Sequence, residues 1–481
     1  MMARHQRKQW ADSSKAWIFC QILALAFIFF LTNPGQVGAW PWTVCGDELL
    51  GIGPIGKSDA TLFGKTFKPT CNINGTLRMN YVGGRIDGDN SVVFAPSLNL
   101  DLDVILTDTE RLHFLFRPFD HGVSGAPARP RRATQWRPKP GFRQQGSANR
   151  IDFEPDRAWF EMQPFTWLSP DDRYPLDFTI AGGRIPLAFH NNYWMNDDVL
   201  GFAISKNNIY FPPFQNLNVI TFGAFDEMNR FPDAQVAGIG AFIDYRGYFI
   251  EATFAYAFDR TIRNDRFFSG ISVTKQFGLT GYSVRIMLNE DDGVQKGPDL
   301  GALFVFESET RLFNEIFYGG EIRVYANGFY ATRNWAPLTG GNVARQGFLF
   351  QTDRSLSIPA LVNRGIDSGG AAIGVIFNPE GTVTVTPELG FLRDESRRSR
   401  TGRRTAGNLE QIGLGLRVQA GLARLLLSGR TFPWFNADYD KIDQRLAAYL
   451  YGAQLRTTWY NIIPTSGESE HAFRVELLYD F

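Results

Sequence analysis

The chain has 481 residues, 14% aromatic and 20% charged, with 48 Gly, 42 Phe and a formal net charge of 0. Five histidines, three cysteines and no C-x-x-C-H motif argue against a haem or histidine-rich metal protein, and a neutral balance leaves no electrostatic footprint for nucleic acid. Abundant Phe and Gly with few charges suits a large β-protein, either soluble or facing lipid.

Residues 1–39 read as a secretory signal. Arg4, Arg7, Lys8 and Lys15 form a basic start, Trp17–Leu31 is an apolar run broken only by Gln21, and Val37-Gly38-Ala39 fits cleavage after Ala39. The apolar run is short for a membrane span. Four basic residues against Asp12 give this leader +3, so residues 40–481 carry −3. No later stretch approaches twenty apolar residues, so an exported chain of this kind is periplasmic, secreted or an outer-membrane barrel.

Residues 40–73 have no sustained period and are read as a periplasmic N-terminal segment. Cys20 leaves with the signal, and in an oxidising compartment Cys45 and Cys71 are the natural disulfide pair. Two cysteines without a nearby histidine make a poor metal site, so none is expected. Gly51–Ser58 (G-I-G-P-I-G-K-S) satisfies the bare phosphate-loop pattern, but no strand–helix context surrounds it and an exported chain meets no ATP.

Strands are expected from Asn74 onward. In Val93–Leu106, Leu98, Leu100, Leu102 and Val104 alternate with Asn99, Asp101 and Asp103, over a length beyond the usual soluble strand. After a tight turn, Leu112, Phe114 and Phe116 alternate with Arg111, His113 and Arg117, completing a hairpin. Further strands are read at Arg157–Pro164, Pro175–Pro186, Leu217–Phe225, Gln235–Tyr245, Tyr248–Phe258, Phe267–Gln276, Thr280–Asn289, Leu300–Phe306, Glu315–Ala326, Ala371–Phe377, Thr382–Phe391, Glu410–Ala420, Leu422–Arg430 and Arg445–Trp459. Leu187–Phe214, aromatic and Asn-rich, reads as a segment that caps or folds into a pore, or as a loop with one more strand. Gly328–Gly370 reads as a large loop with one or two strands inside it.

Two stretches break the pattern with positive charge. Asp120–Arg150 carries Arg129, Arg131, Arg132, Arg137, Lys139 and Arg143 with no acid after Asp120, and Arg393–Arg404 (R-D-E-S-R-R-S-R-T-G-R-R) is a second charged loop, rich in Arg. Each is either a solvated loop or a surface for anions such as lipopolysaccharide.

The chain closes on His471–Phe481, H-A-F-R-V-E-L-L-Y-D-F. Phe473, Val475, Leu477, Tyr479 and Phe481 share one face; Arg474, Glu476 and Asp480 share the other. This ending resembles the closing strand of bacterial outer-membrane β-barrels, which typically end in Phe after alternating apolar residues. The resemblance covers Asn74–Phe481 as architecture. It implies an all-β fold: a closed antiparallel transmembrane β-barrel of about 16–18 strands in the bacterial outer membrane.

In such a barrel the apolar parity faces lipid and the polar parity faces the lumen. The lumen then receives Arg111, Arg117, Arg157, Arg285, Arg323, Arg417 and Arg474, with Asp101, Asp103, Glu161, Glu251, Glu321 and Glu476. An arginine does not face lipid cheaply at mid-membrane depth, so its place on this parity points to a hydrated or salt-bridged interior. Such charges either select ions and sugars or fill and stiffen a narrow barrel. The length and arginine content are similar to alginate-export-type barrels, and Gly182–Phe189 (G-G-R-I-P-L-A-F) resembles a strand end of anion-selective porins. The expected function is passage of small polar, anionic solutes. The alternative is a structural barrel that holds a partner protein. Neither a G-x-S-x-G nor an H-E-x-x-H motif occurs and the histidines are scattered, so no enzyme and no cofactor are expected.

Overall fold

The computed structural model describes residues 60–62, 65–67, 70–86, 89–106, 110–119, 155–164, 178–210, 212–226, 234–259, 264–291, 299–313, 321–339, 346–350, 361, 367–378, 383–394, 409–421, 453–464 and 469–480. Ala60–Leu62 (β1) and Lys65–Phe67 (β2) make a separate two-stranded ribbon. Eighteen further strands close into one antiparallel barrel. In order they are Thr70–Ile86 (β3), Asp89–Ile105 (β4), Glu110–Phe119 (β5), Pro155–Met162 (β6), Phe178–Phe189 (β7), Met195–Ile209 (β8), Asn216–Asp226 (β9), Ala234–Tyr245 (β10) and Tyr248–Asp259 (β11). Then follow Asn264–Phe277 (β12), Thr280–Asp291 (β13), Asp299–Phe313 (β14), Glu321–Ala331 (β15), Ser368–Asn378 (β16), Val383–Asp394 (β17), Leu409–Gly421 (β18), Ala453–Pro464 (β19) and Glu470–Asp480 (β20). Each pairs with the next in sequence, and β20 closes on β3 with Thr76 opposite Asp480. Closure leaves no free sheet edge, which hydrocarbon would not tolerate.

Alternation sets the two faces. On β20, Phe473 is exposed while Ala472, Glu476 and Leu478 are buried; on β11, Phe254 and Phe258 are exposed while Glu251, Thr253, Ala255 and Ala257 are buried. Exposed Tyr81, Ile239, Ile271, Val284, Phe304 and Ile373 continue the outer wall on other strands. An apolar belt of this extent needs lipid around it. Aromatic girdles stand at its two ends. Phe254, Tyr256 and Phe267 cluster at one, with ring centroids 5.0 and 6.3 Å apart, and Tyr245, Tyr248, Phe277 and Tyr282 mark the end where both barrel termini lie. A closed barrel with this outer wall belongs in the bacterial outer membrane.

Tight turns close the termini end. Arg246 and Gly247, φ +49 and +75, form a two-residue connection between β10 and β11 whose handedness matches the strand twist. Several sequence boundaries shift. β14 runs on to Phe313 and β15 starts at Glu321, because Thr310 and Val324 continue the same ladder. Leu187–Phe214, read as a segment folding into the pore or a loop with one more strand, contains β8 and the end of β7. β18 takes Ala453–Pro464 as its partner, so the strand expected directly after Gly421 is not its neighbour. Residues 422–452 lie outside the described residues, as do Cys45, the leader, the first basic loop and residues 395–404 of the second.

Candidate functional site

The barrel interior has two differently built arcs. The first is covered by chain that folds inward. β7 and β8 outrun their neighbours: the β6 ladder ends at Arg184 and the β9 ladder begins at Leu200. Ile185–Val199 is therefore a hairpin paired mainly with itself, and Pro186 is tolerated because no neighbour needs its missing N–H. It starts to leave the wall at Gly183, φ +121, where a Cβ would stand 2.5 Å from the Ala158 carbonyl oxygen. Ile185, Leu187, Phe189, Tyr193, Trp194, Met195 and Val199 are buried inside the barrel.

The tip turns on three consecutive left-handed residues, His190, Asn191 and Asn192, φ +52, +56 and +69. Asn accepts that conformation with little penalty; His190 adopts it with help from the wall. Its backbone N–H donates to Glu251 at 2.6 Å, and its ring nitrogens lie 2.5 Å from Ser272 Oγ and 2.7 Å from Thr253 Oγ1. Gly270 makes room: a Cβ there would meet Nε2 at 2.4 Å. Glu307 accepts from Asn191 Nδ2 at 3.0 Å, Tyr193 Oη at 2.7 Å and Arg285 Nη2 at 2.9 Å.

A second inward segment follows β15. Trp335, Leu338, Phe348, Leu349, Phe350 and Leu361 are buried, and Glu388 on β17 accepts from the Phe348 and Leu349 amides at 2.9 and 2.7 Å and from the Tyr325 hydroxyl. The two segments fasten to one another. Leu338 N donates to Trp194 O at 2.9 Å, Asn196 N to Thr339 O at 3.0 Å, Gln346 Nε2 to Tyr193 Oη at 2.9 Å, and the Thr339 hydroxyl to Asp197.

The other arc runs from β18 through β20 and β3 to β6 and is charged. Glu476, 1% exposed, receives Arg78 at 3.0 Å, Arg456 at 3.2 Å and Arg474 at 2.9 Å. Arg474 also donates to Asn80 Oδ1 at 2.6 and 2.9 Å, and Arg456 to Gln419 at 3.2 Å. Arg417 lies 4.5 Å above the Phe348 ring, where the two arcs meet. Beyond β3, His113 hydrogen-bonds Asp103, stacks on Trp159 at 4.4 Å, and stands 3.5 Å from Glu161. Arg117 bonds Asp156 at 2.8 Å, and Arg157 bonds Asp198 at 2.6 Å, tying the wall to the foot of the hairpin. Asp101 and Arg111 are exposed on the same wall, Arg111 directly opposite Glu161. Near the termini end, Arg323 stands 3.5 Å from both Glu309 and Glu321.

The residues expected in the lumen thus separate into groups. Arg474, Glu476 and Arg417 gather at the closing seam; Asp101, Asp103, Arg111, Arg117, Arg157 and Glu161 gather on β4–β6; Arg323 and Glu321 pair apart. Glu251 and Arg285 lie beneath the inward hairpin, where they hold chain instead of meeting water. Sequence reading passed over Arg78 and Arg456, although Arg78 alternates visibly with Leu77, Met79 and Tyr81. It also passed over Glu307, one residue beyond the expected end of β14, and over Glu388, Asp156, Asp198 and His190, whose roles have no local signal.

This shape has close parallels. The chain superposes on Pseudomonas aeruginosa OccK2 (OpdF) with a TM-score of 0.53 at 11% identity, covering 85% of this chain and 97% of that one. OccK9 (OpdG) gives 0.52 at 11% identity over 85% and 98%, and OpdK with vanillate gives 0.51 at 10% over 85% and 98%, both from the same organism. The fold is that of a porin-like outer-membrane barrel. At these identities the likeness is one of architecture. No protein-family model matches the sequence, and no curated protein sequence does.

Proposed function

We propose that this barrel is an outer-membrane channel that passes small polar solutes, anions in preference, past the arginine seam. The carrying observation is the charge balance there: three arginines converge on the single carboxylate of Glu476, leaving two positive charges without a counter-ion in the cluster among the described residues. A solute anion would exchange hydration for these donors, at a cost lowered because the guanidiniums are already held in place by Asn80 and Gln419. OpdK was solved with vanillate, and a small carboxylate is the class of solute such donors suit. In this reading the termini face the periplasm and the inward segments enter from the cell exterior. The leader is removed after Ala39 and Cys45 bonds Cys71, so the mature mass starts at Trp40 and no free thiol titrates under denaturing conditions.

Planar-bilayer recording tests it. Folded, inserted protein should give stepwise conductance with a reversal potential on the anion side. Arg456→Gln with Arg474→Gln should move that potential towards cations. A sealed bilayer would defeat the channel reading. It would favour the second reading, a barrel that holds a partner.

A further inference from the structure

The outer wall handles basic side chains differently from the lumen. Lys275 on β12 shares the outward parity of Ile271 and Phe277, at the termini end. A lysine facing lipid costs about 2–4 kcal/mol at the midplane and about 0–1 at the interface, so its ammonium belongs at headgroup level. It sits 4.0 Å from the Tyr248 ring centroid and 5.6 Å from that of Phe277, and it donates to the Arg246 carbonyl oxygen at 2.7 Å. Arg246 lies over Tyr245 at 5.3 Å. Among the described residues neither cation has a carboxylate partner, whereas Arg117, Arg157, Arg285 and Arg474 each have one. An ammonium carries three donors, and among the described residues one is used here.

Beside this pair is a dent in the lipid-facing wall. Phe306, Gly328, Ala371, Phe391 and Ile412 are successive cross-strand partners on β14 to β18, large residues flanking two small ones. With Ala326, Ile373 and Leu389 they enclose a groove of about 580 Å³. It connects to the cations. Tyr282, the ladder partner of Lys275, stands 6.1 Å from Phe277 and 6.4 Å from Phe306, and the same ladder row continues through Ser308 to Ala326. Three strand spacings, about 14 Å, separate Lys275 from Ala326 along that row.

We propose that the outer wall of β10–β17 binds one glycerophospholipid, its phosphate on Arg246 and Lys275 and one acyl chain in the groove floored by Ala326, Gly328 and Ala371. The groove opens into the lipid-facing belt, where acyl chains are the surrounding medium, and the cations stand at the level of phosphates. With the termini in the periplasm, this leaflet offers phospholipid and not lipopolysaccharide.

Native mass spectrometry of the folded protein in detergent, with phosphatidylethanolamine and lipopolysaccharide offered separately, tests it. Wild type should retain one phospholipid. Lys275→Gln with Arg246→Gln should lower the retained fraction about tenfold, as loss of charged hydrogen bonds does, while Lys275→Arg keeps it. Gly328→Leu should also lower it; the nearest atom to a Cβ there is 3.6 Å away, so the side chain fills the groove without strain on the barrel. Heat-modifiable gel mobility confirms folding, and should the double variant not fold, Lys275→Arg against Gly328→Leu decides. Equal retention in all variants overturns the site. Retention of lipopolysaccharide in place of phospholipid overturns the lipid assigned. A wild-type dimer lost in Gly328→Leu overturns it in favour of a second copy of the chain.

Discussion

The arc packed by the inward segments and the arc of the closing seam use the same residue type for different ends. Under the two inward segments, Glu251 and Glu388 accept backbone amides and Glu307 accepts Asn191 and Tyr193 beside Arg285, satisfying donors of chain that would otherwise be buried without partners. At the seam, Glu476 accepts guanidiniums from three strands. Parity on a strand therefore places a carboxylate inside the barrel without saying what it holds. That depends on whether a loop returns over it. One arc is a small hydrophobic core with polar clamps, and the other is a wall of fixed charge.

Substitutions in the two arcs should therefore fail in different ways. The largest effect is expected at Trp194, fully buried among Phe189, His190 and Leu338. Trp194→Ala should lower unfolding stability in urea by about 3–5 kcal/mol, as large core truncations do. It should also raise single-channel conductance, because the hairpin loses its seat, while leaving ion selectivity alone. An unchanged conductance would mean that the hairpin does not narrow the path.

Glu476→Gln comes next. It leaves three arginines facing a neutral amide, and removing one member of a buried ion pair costs about 3–5 kcal/mol; the lower end applies because Arg78 is substantially exposed. Here the reversal potential should move further towards anions with little change in conductance, the reverse of the Trp194 outcome. A smaller loss, about 1–3 kcal/mol, is expected for Gly183→Ala, which puts a side chain at φ +121 against the Ala158 carbonyl. Limited proteolysis of the inserted protein should then cut within residues 185–199, while the seam and its selectivity stay as they were.

Much of the barrel was legible in the chain. The alternation of Leu98–Val104, of Tyr248–Phe258 and of Phe473–Tyr479 names the apolar face directly, because a strand with different surroundings on its two faces must change chemistry every second residue; closure into a barrel makes that face the lipid-facing one. Gly183 and Pro186 were visible too, but only as a motif; that they let a hairpin leave the wall depends on where the β6 and β9 ladders stop.

By itself, then, the sequence determined the period-two strands and their two parities, since these follow from local solvent contrast, while the class of barrel came from the resemblance of the closing strand to outer-membrane barrels. Only the tertiary structure decided that eighteen strands close, that β18 meets Ala453–Pro464, and that Glu251 and Arg285 serve the hairpin while Glu476 gathers Arg78, Arg456 and Arg474. Those pairings join residues up to hundreds of positions apart, and no local pattern encodes them. They arise when closure brings the first and last strands side by side and the inward segments find donors and acceptors on the opposite wall.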